Sequence, residues 1–367
     1  MTRIALLGPA NSIHLQRWAR ALVARGHDLC VISQHPCERT ALPAKADVMW
    51  LPHRGSLGYF RNATTLRRQL AQWRPHLLNA HYASGYGTTM ALSGFRPTLL
   101  SVWGSDVYDF PSAGLLRRRL LCWNLRRATA LASTSRAMAQ HVLQLTPERG
   151  PISITPFGVD LVHFAPDPEP RARAPLTLGI VKTLASKYGV DLLLRAFAAL
   201  VREPRVAAQH PDCRLLVVGD GPQRAELHAL AHELGIEERT EFVGAVPHDE
   251  VPRWLHRLDI YAAPSRLDSE SFGVAVIEAG ACALPVVVSD AGGLPEVVRH
   301  GHTGLVVARN NVVALQSALS QLVLDAELRA SLGRQGRAHV EREYEWGHCV
   351  DLMEACYARL LQPPRQP

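Results

Sequence analysis

Lysine is nearly missing from this sequence, and so are the features that mark membrane-spanning, disordered or disulfide-rich proteins. Only Lys45, Lys182 and Lys187 accompany the 37 arginines among its 367 residues. No apolar run reaches the roughly 18 residues that a membrane-spanning helix needs. Hydrophobic residues make up 47% of the chain and charged residues 20%, the balance of an ordinary globular protein.

Paired cysteines are missing as well. The seven cysteines are odd in number and scattered, and no two of them form a Cys-x-x-Cys motif. This pattern argues against a disulfide framework and against a zinc site, and it favours small buried thiols. The N-terminal apolar run at 4–8 is too short for a signal peptide and is typical of a first strand, so we expect a cytoplasmic protein.

Acidic residues are scarce in the first half of the chain. Residues 1–170 carry 19 Lys and Arg against 9 Asp and Glu, whereas residues 171–367 carry 21 against 24. The basic first half indicates an anionic partner, such as a membrane surface, a phosphorylated lipid or a nucleic acid. An arginine-rich composition without any such partner is the alternative.

Short apolar runs alternate with amphipathic segments along the whole chain. This alternation predicts parallel sheets covered by helices on both faces. Strands are expected at 4–8, 29–33, 48–51, 77–80, 98–102, 130–133, 152–155, 176–181, 214–218, 240–243, 259–262, 286–289 and 305–307. Helices are expected at about 12–25, 57–73, 85–93, 112–125, 135–145, 188–202, 223–234, 248–257, 273–282 and 311–324, and through most of 326–362.

A proline-rich polar segment at 167–175 interrupts this alternation and marks a domain boundary. The length is comfortable for two cores. We therefore predict an α/β protein with two doubly wound parallel sheets, one in residues 1–166 and one in 167–345, which face a cleft. In such sheets, ligands bind at the carboxyl ends of the strands.

Glycine-rich turns follow two of the predicted strands. Gly219 begins a Gly-Asp-Gly-Pro turn before a helix, where glycines let the backbone approach a ligand. Many strand-to-helix turns look the same, so this signal is weak. Neither this turn nor the one at Gly8 has the G-x-G-x-x-G fingerprint, which argues against a nicotinamide enzyme.

Two of the three lysines flank one predicted loop. Lys182 and Lys187 follow the first strand of the second domain, where two ammonium groups can hold a diphosphate as point charges. Solvated surface lysines are the alternative. That alternative is weakened because the surface cations of this chain are otherwise nearly all arginine.

Two glutamates, Glu270 and Glu278, enclose a Ser-Phe-Gly turn and the start of an apolar helix. They could be an acid and base pair, metal ligands or polar contacts to a ligand. Burying Glu278 on an apolar helix face requires a partner, either a ligand hydroxyl or an internal arginine. No Asp-x-Asp pattern accompanies them, so we expect no metal.

The segment from Glu270 to Glu278 resembles the E-x7-E motif of family 4 of the retaining, two-domain (GT-B) glycosyltransferases. The resemblance extends over nearly the whole chain and is most specific in the second domain. The further matching segments are 283–307, 217–222, 241–244, 158–164 and 133–136.

The resemblance implies roles for individual positions in the second domain. Lys182 and Lys187 would hold the diphosphate of a nucleotide sugar, with Lys182 standing where an arginine is more usual. Glu278 would accept hydrogen bonds from the ribose, and Glu270 would contact the donor sugar. The other implied donor-site residues are Gly8, Gly219, Phe272, Gly273 and Val274, the last three through their backbone amides.

The same resemblance implies an active-site histidine near the donor sugar, His81, in the first domain, and an ordinary loop histidine is the alternative. The catalytic candidates are His81, Asp106, Glu270 and Lys187. Trp103 stands where many relatives carry a histidine before the glycine, which leaves the general base unassigned. Trp103 is a candidate to stack on a sugar ring or, alternatively, a core residue, and Asp106 and His14 are candidates for the acceptor side. The tail from 346 to 367 would cross back and complete the first domain.

Arginines and leucines alternate at 115–127, a basic amphipathic pattern that suits a membrane surface. A solvated face over ordinary core is the alternative.

The expected function is retaining transfer of a hexose from a nucleotide diphosphate sugar to a glycan or lipid-linked acceptor, in cell-surface polysaccharide or glycolipid synthesis at the inner face of the membrane. We expect neither a metal nor a nucleic-acid partner. The alternatives are an epimerase, a phosphorylase or a basic binding module.

Overall fold

The computed structural model describes residues 1–168 and 175–362, so most of the predicted proline-rich linker lies outside the described residues. The chain divides into two compact units. The first comprises Met1–Phe157 together with the chain from Gly347 onward, and the second comprises Gly158–Trp346. The chain thus passes between the units at 157/158 and again at 346/347, whereas the sequence interpretation put the boundary after residue 166.

The first unit is built on a seven-stranded parallel sheet in the order β3-β2-β1-β4-β5-β6-β7. Its central strands are almost entirely buried because helices cover both sides of the sheet. The strands are β1 Arg3–Leu7, β2 Asp28–Ser33, β3 Asp47–Trp50, β4 Leu77–His81, β5 Thr98–Val102, β6 Ala130–Ser133 and β7 Ser153–Ile154.

Helices connect these strands, and the last helix of the chain joins them. The helices are α1 Ile13–Ala24, α2 Gly55–Trp73, α3 Gly85–Ser93, α4 Asp109–Ser112, α5 Leu115–Arg127, α6 Arg136–Leu145 and, at the end of the chain, α15 Trp346–Leu361. The Tyr357 hydroxyl on α15 donates to Asn79 Oδ1 at 2.8 Å, and both side chains are buried. The C-terminal helix therefore packs into the first unit, as predicted.

The second unit has a six-stranded parallel sheet in the order β10-β9-β8-β11-β12-β13. The order reverses beside β8, so the loops after β8 and β11 start at neighbouring positions, where open α/β sheets bind ligands. The strands are β8 Thr177–Val181, β9 Arg214–Val218, β10 Thr240–Gly244, β11 Ile260–Ala263, β12 Val286–Ser289 and β13 Leu305–Val307.

The helices of this unit lie between its strands or follow the last of them. They are α7 Val190–Leu200, α8 Pro204–Gln209, α9 Arg224–Glu233, α10 Val251–Leu255, α11 Val274–Ala281, α12 Leu294–Val297, α13 Val312–Leu324 and α14 Ala326–Tyr344. Asn311 and Asp325 cap α13 and α14. The side chain of each accepts a hydrogen bond from the backbone amide of the third residue of its helix.

The strand predictions are confirmed throughout, but several helix predictions need correction. The single helix expected at 112–125 is divided into α4 and α5, because Gly114 adopts a φ of 138° that a helix cannot contain. The short helices α8 and α12 were not predicted. Ile13, the first residue of α1, is 37% exposed.

Candidate active site

Four loops of the second unit leave the same edge of its sheet, because the carboxyl ends of parallel strands lie together. The loops after β8 and β9 are joined by hydrogen bonds from Lys182 N to Val218 O and from Leu184 N to Asp220 O. The loops after β11 and β12 are joined by a bond from Gly293 N to Glu270 O at 3.0 Å. These loops carry most of the donor-site residues that the sequence predicted.

An ion pair joins two of these loops. Lys182 Nζ lies 3.1 Å from Glu270 Oε1 and 2.9 Å from Oε2. Burial lowers the pKa of Lys182, but the charges of Glu270, Tyr188 and Glu278 outweigh it and raise the pKa above the ordinary lysine value. The ammonium group therefore stays charged in a mostly buried place, and its partner carboxylate is held in position.

Lys187 differs from Lys182 because its charge is not neutralised. It lies on a tight 3-10 turn, Ser186–Tyr188, and its Nζ is 4.8 Å from the Tyr188 ring centroid, on which Lys182 also packs at 4.5 Å. Within the part of the chain that the structure describes, no carboxylate forms an ion pair with Lys187. Two cations thus share one aromatic ring, and one of them is available for an anion.

Glu278 projects from α11 and is 5% exposed. Its partner is neither of the two that the sequence suggested, for His248 Nε2 lies 2.8 Å from Glu278 Oε1. His248 begins the short turn after β10, and its ring packs edge-on against Phe164 at 5.5 Å. No described residue donates a hydrogen bond to the second carboxylate oxygen, Oε2, which leaves an acceptor for a hydroxyl group.

Tyr261 is a further residue of this edge that the sequence did not indicate. It is fully buried on β11, and its hydroxyl donates to Val181 O at 3.2 Å. Burial and the charges of Glu278 and Glu270 raise the pKa of its phenol. The phenol therefore stays neutral and lies in the electrostatic field of both glutamates.

Close backbone approach explains the glycine at position 219. Gly219 has a φ of 139°, and a Cβ atom there would lie 1.9 Å from the Lys182 carbonyl oxygen. Its amide donates to Gly244 O at 2.8 Å, so this N–H group is already used within the protein. Gly273, with a φ of 99°, precedes the first residue of α11 and brings the backbone from Phe272 into that helix.

The first unit also gathers predicted residues at the carboxyl edge of its sheet. His81, the last residue of β4, is fully buried, and among residues 1–168 and 175–362 neither ring nitrogen has a hydrogen-bond partner. Burial lowers the pKa of His81 to about 3. The imidazole is therefore neutral at physiological pH. A Cβ atom at Gly8 would lie 3.3 Å from His81 Cβ, so these two loops touch.

Aromatic rings cover this histidine. The Trp103 ring lies 4.9 Å from that of His81 and 5.0 Å from that of Tyr82. His14 stacks on Phe157 at 4.2 Å and meets Trp103 edge-on at 5.8 Å. Trp103 is 9% exposed, so most of the surface of its side chain is buried.

Asp106 is buried and holds the turn that carries Trp103. Its Oδ1 accepts from the amides of Trp103 and Gly104 at 3.1 and 2.8 Å, and its Oδ2 accepts from the amide of Ala83 at 2.7 Å. Burial raises its pKa, although these backbone hydrogen bonds oppose that rise. The carboxyl group thereby fixes the loops that follow β4 and β5 beside His81.

A polar cluster after β2 was missed by the sequence interpretation. The Tyr86 hydroxyl lies 2.7 Å from His35 Nδ1 and 3.0 Å from Ser33 Oγ, and the Tyr59 ring packs edge-on against the Tyr86 ring at 5.2 Å. Ser33 Oγ also accepts from the amide of Ala10 at 3.1 Å, which ties the cluster to the Gly8 loop. Tyr59 and Tyr86 are distant in sequence from Ser33 and His35, and no spacing rule joins them.

The basic segment of α5 is exposed at its start. Leu115 and Leu116 are 75% and 80% exposed, and Arg117, Arg118 and Arg119 follow them directly. Leu121 and Leu125 face the core from the same helix.

The helices of the described residues include none that is both long enough and apolar enough to span a bilayer. The described residues also contain no group of three or more His, Cys, Asp or Glu side chains placed to hold a metal ion.

Comparison with known families agrees with this arrangement. The model of the glycosyl transferases group 1 family matches residues 166–339, and the glycosyl transferase 4-like model matches residues 3–135. The fold is that of the two-domain (GT-B) glycosyltransferases. Residues 166–339 thus belong to the glycosyl transferases group 1 family, and residues 3–135 match the glycosyl transferase 4-like family.

Solved structures of low sequence identity share this fold. Sucrose-phosphate synthase from Thermosynechococcus elongatus superposes with a TM-score of 0.81 at 21% identity over 98% of this chain and 99% of that one. HepE from Anabaena, solved with UDP and glucose, gives 0.78 at 20% identity over 98% and 100%.

Among curated proteins, a Mycolicibacterium smegmatis enzyme is 35% identical over 204 residues, which are 52% of each chain. It is described as a GDP-mannose-dependent alpha-(1-6)-phosphatidylinositol monomannoside mannosyltransferase. The match thus spans about half the length of this relative. Glycogen synthase from Mycobacterium tuberculosis is 26% identical over 96% of this chain and 92% of its own length.

Proposed function

We propose that the protein is a retaining glycosyltransferase that moves a hexose from a nucleotide diphosphate sugar to a glycan or lipid-linked acceptor. The observation that carries this proposal is the pair of buried carboxylates at one sheet edge. Glu270 is held by Lys182, and Glu278 is held by His248 with Oε2 left open. HepE was solved with UDP and glucose, and the mannosyltransferase is GDP-mannose-dependent, so both descriptions support a nucleotide diphosphate sugar as donor.

In this proposal the second unit binds the donor. Lys187, which lacks a carboxylate partner in the described chain, takes the diphosphate, and Lys182 adds a second positive charge beside it. Glu278 Oε2 accepts from a ribose hydroxyl, and Glu270 accepts from hydroxyls of the hexose. The backbone amides of Phe272 to Val274 open α11, and the start of a helix favours negative charge.

The protein would accelerate transfer by positioning and by stabilising charge on the leaving diphosphate. The acceptor hydroxyl attacks the face of the hexose from which the diphosphate leaves, and a diphosphate oxygen takes the hydroxyl proton. No protein nucleophile is needed, and the configuration at the anomeric carbon is retained. The lysines supply the charge that a divalent cation supplies elsewhere, so we expect transfer to persist in EDTA.

We assign the acceptor to the first unit. The neutral imidazole of His81 can donate one hydrogen bond and accept one, which suits recognition of a sugar hydroxyl beside the Gly8 loop. Trp103 and His14 supply aromatic surface, and sugars pack on such rings through their C–H faces. Asp106, whose oxygens accept three backbone hydrogen bonds, would act by positioning the Trp103 turn.

The donor assignment can be tested with two of the three lysines. Nucleotide sugars with UDP, GDP and other bases are screened for thermal stabilisation of the wild type, since a ligand at 100 times its dissociation constant adds about 2.7 kcal/mol. Lys187→Ala should abolish the stabilisation and cut turnover, whereas the exposed Lys45→Ala should retain both. A Lys187→Ala variant with the wild-type rate would remove the phosphate role.

The first unit would bring the enzyme to a lipid-linked acceptor. We propose that Leu115 and Leu116 insert at the inner face of an anionic membrane while Arg117 to Arg119 contact its headgroups. Co-sedimentation with phosphatidylglycerol vesicles should be lost in Leu115→Ser/Leu116→Ser. It should be kept in Val162→Ser, a residue of the second unit that is 91% exposed. Equal binding by both variants would contradict this contact.

A further inference from the structure

The second unit contains a basic cleft that the proposed transfer reaction does not use. The cleft has a volume of about 340 Å³ and lies between residues 299–303 and the second half of α14. Residues 299–303 precede β13, so they lie at the amino edge of the sheet, opposite to the edge that carries Lys182 and Glu278. Its walls include two arginines and two histidines. Its size is within the usual range for a small-molecule site.

One wall holds a buried hydrogen-bond donor without an acceptor. His339 is 4% exposed, and its Nδ1 faces Arg342 Nη2 at 3.1 Å. Because a guanidinium group can only donate, Nδ1 accepts and the ring proton of the neutral imidazole is on Nε2. Within the described residues, Nε2 has no partner. Leaving such a buried donor unpaired costs about 1–3 kcal/mol, a cost that a bound acceptor would relieve.

The positive charge of the cleft exceeds its negative charge. Glu343 Oε1 lies 2.9 Å from Arg342 Nε and 4.0 Å from Arg299 Nη2, so one carboxylate serves two guanidinium groups. The Arg299 amide donates to Thr303 Oγ1 at 2.8 Å, which fixes the turn that presents the arginine. Both arginine side chains remain more than half exposed. They are therefore oriented and still accessible to an anion.

We propose that this cleft binds the phosphoryl group of a small phosphorylated metabolite between Arg299 and Arg342, with His339 Nε2 as an additional hydrogen-bond donor. Planar guanidinium groups match the oxygen geometry of phosphate and bind it in a bidentate way. The volume left beyond the phosphoryl group accommodates a body of about sugar size.

The cleft is joined to the donor loop by one aromatic residue. The Tyr344 ring meets His339 edge-on at 5.6 Å and Phe272 edge-on at 5.5 Å. Phe272 directly precedes Gly273 and α11, which carries Glu278. A ligand that reorients His339 would therefore act on Tyr344 and the donor loop, so the cleft would serve as an effector site. This second step rests on the proposed function, whereas phosphate binding itself does not.

Binding is tested by calorimetric titration of the full chain with inorganic phosphate. Arg299→Gln/Arg342→Gln should weaken phosphate binding at least tenfold. Arg334→Gln, an exposed arginine of α14 that does not line the cleft, should bind like the wild type, and Lys187→Ala should keep the phosphate binding that the arginine double variant loses. Wild-type affinity in the double variant would overturn the site, and so would loss of all binding in Lys187→Ala, because the phosphate would then occupy the donor site.

A second variant keeps the test decisive if the double variant does not fold. His339→Phe preserves an aromatic ring beside Tyr344 and removes the Nε2 donor, and it should weaken phosphate binding at least threefold.

Coupling between the cleft and the donor site is measured as the shift that phosphate produces in the KM for the donor. Tyr344→Leu should bind phosphate within twofold of the wild type and lose the shift. An unchanged shift in Tyr344→Leu would overturn the coupling. Absence of any transfer activity would sink the proposed function and leave the titration result standing.

Discussion

His81 makes the stability of the protein depend on pH in a predictable direction. An unfolded histidine has a pKa of about 6.5, whereas burial lowers the pKa of the folded His81 to about 3. Between pH 6.5 and 3, His81 therefore binds a proton in the unfolded chain but not in the folded chain. The stability linked to His81 is fully present above pH 6.5, and it is lost as the pH falls from 6.5 towards 3.

The size of this loss follows from the two pKa values. Each pH unit between them costs about 1.4 kcal/mol of unfolding free energy. At pH 5.0 the loss is about 2 kcal/mol, and at pH 7.5 it is close to zero. Replacing His81 by asparagine removes the titrating group. We therefore expect the change in unfolding free energy between pH 7.5 and 5.0 to be about 2 kcal/mol smaller in His81→Asn than in the wild type.

The assay is urea unfolding at pH 7.5 and 5.0 for the wild type, His81→Asn and a control. His232→Asn is a suitable control because the His232 side chain is 76% exposed, and it should follow the wild type. Comparing the change with pH within each protein removes any constant cost of the substitution. If His81→Asn loses as much stability on acidification as the wild type, His81 is not a buried neutral base. Our account of the residues around His81 in the first unit would then be wrong.

Two further predictions concern the second unit. Gly219→Ala should destabilise the protein by about 3 kcal/mol or more, since its Cβ would lie 1.9 Å from the Lys182 carbonyl oxygen at a φ of 139°. Gly26→Ala, which has a positive φ but open space, should cost about 1 kcal/mol, and similar melting temperatures for the two variants would refute the steric argument. Glu278→Gln keeps the shape but removes the charge, so calorimetry should show nucleotide affinity falling about tenfold, the loss of one charge-assisted hydrogen bond. Full affinity in Glu278→Gln would show that the ribose binds elsewhere.

The sequence predicted the sheets well because their central strands are buried on both faces. In β9, Arg214–Val218, a continuous apolar run at 215–218 stands between turn-forming residues, which is the pattern of a strand buried on both faces. Helix boundaries were less predictable where one glycine decides them. Gly114 adopts a positive φ of 138°, which ends the helical geometry between α4 and α5, although the surrounding leucines and arginines favour one continuous helix.

Most of the predicted donor-site residues lie together at one edge of the second sheet, but their partners could not be predicted. Lys182 and Glu270 were each expected near a bound donor, yet nothing in the spacing joined them, because they are 88 positions apart and meet only through the sheet order. For the same reason His248, which binds Glu278 from the turn after β10, was overlooked. Partners of this kind follow from which strands are neighbours, and a single sequence does not reveal strand order.

The central claim is that the second unit binds a nucleotide diphosphate sugar and that the protein transfers its hexose with retention. The most direct measurement is NMR of the product formed from a nucleotide sugar that stabilises the protein and an added glycan or lipid-linked acceptor. The account predicts a new glycosidic bond with the anomeric configuration of the donor and release of the nucleoside diphosphate, both nearly abolished in Lys187→Ala. An inverted linkage, or a nucleotide sugar that is only epimerised or phosphorolysed, would contradict it.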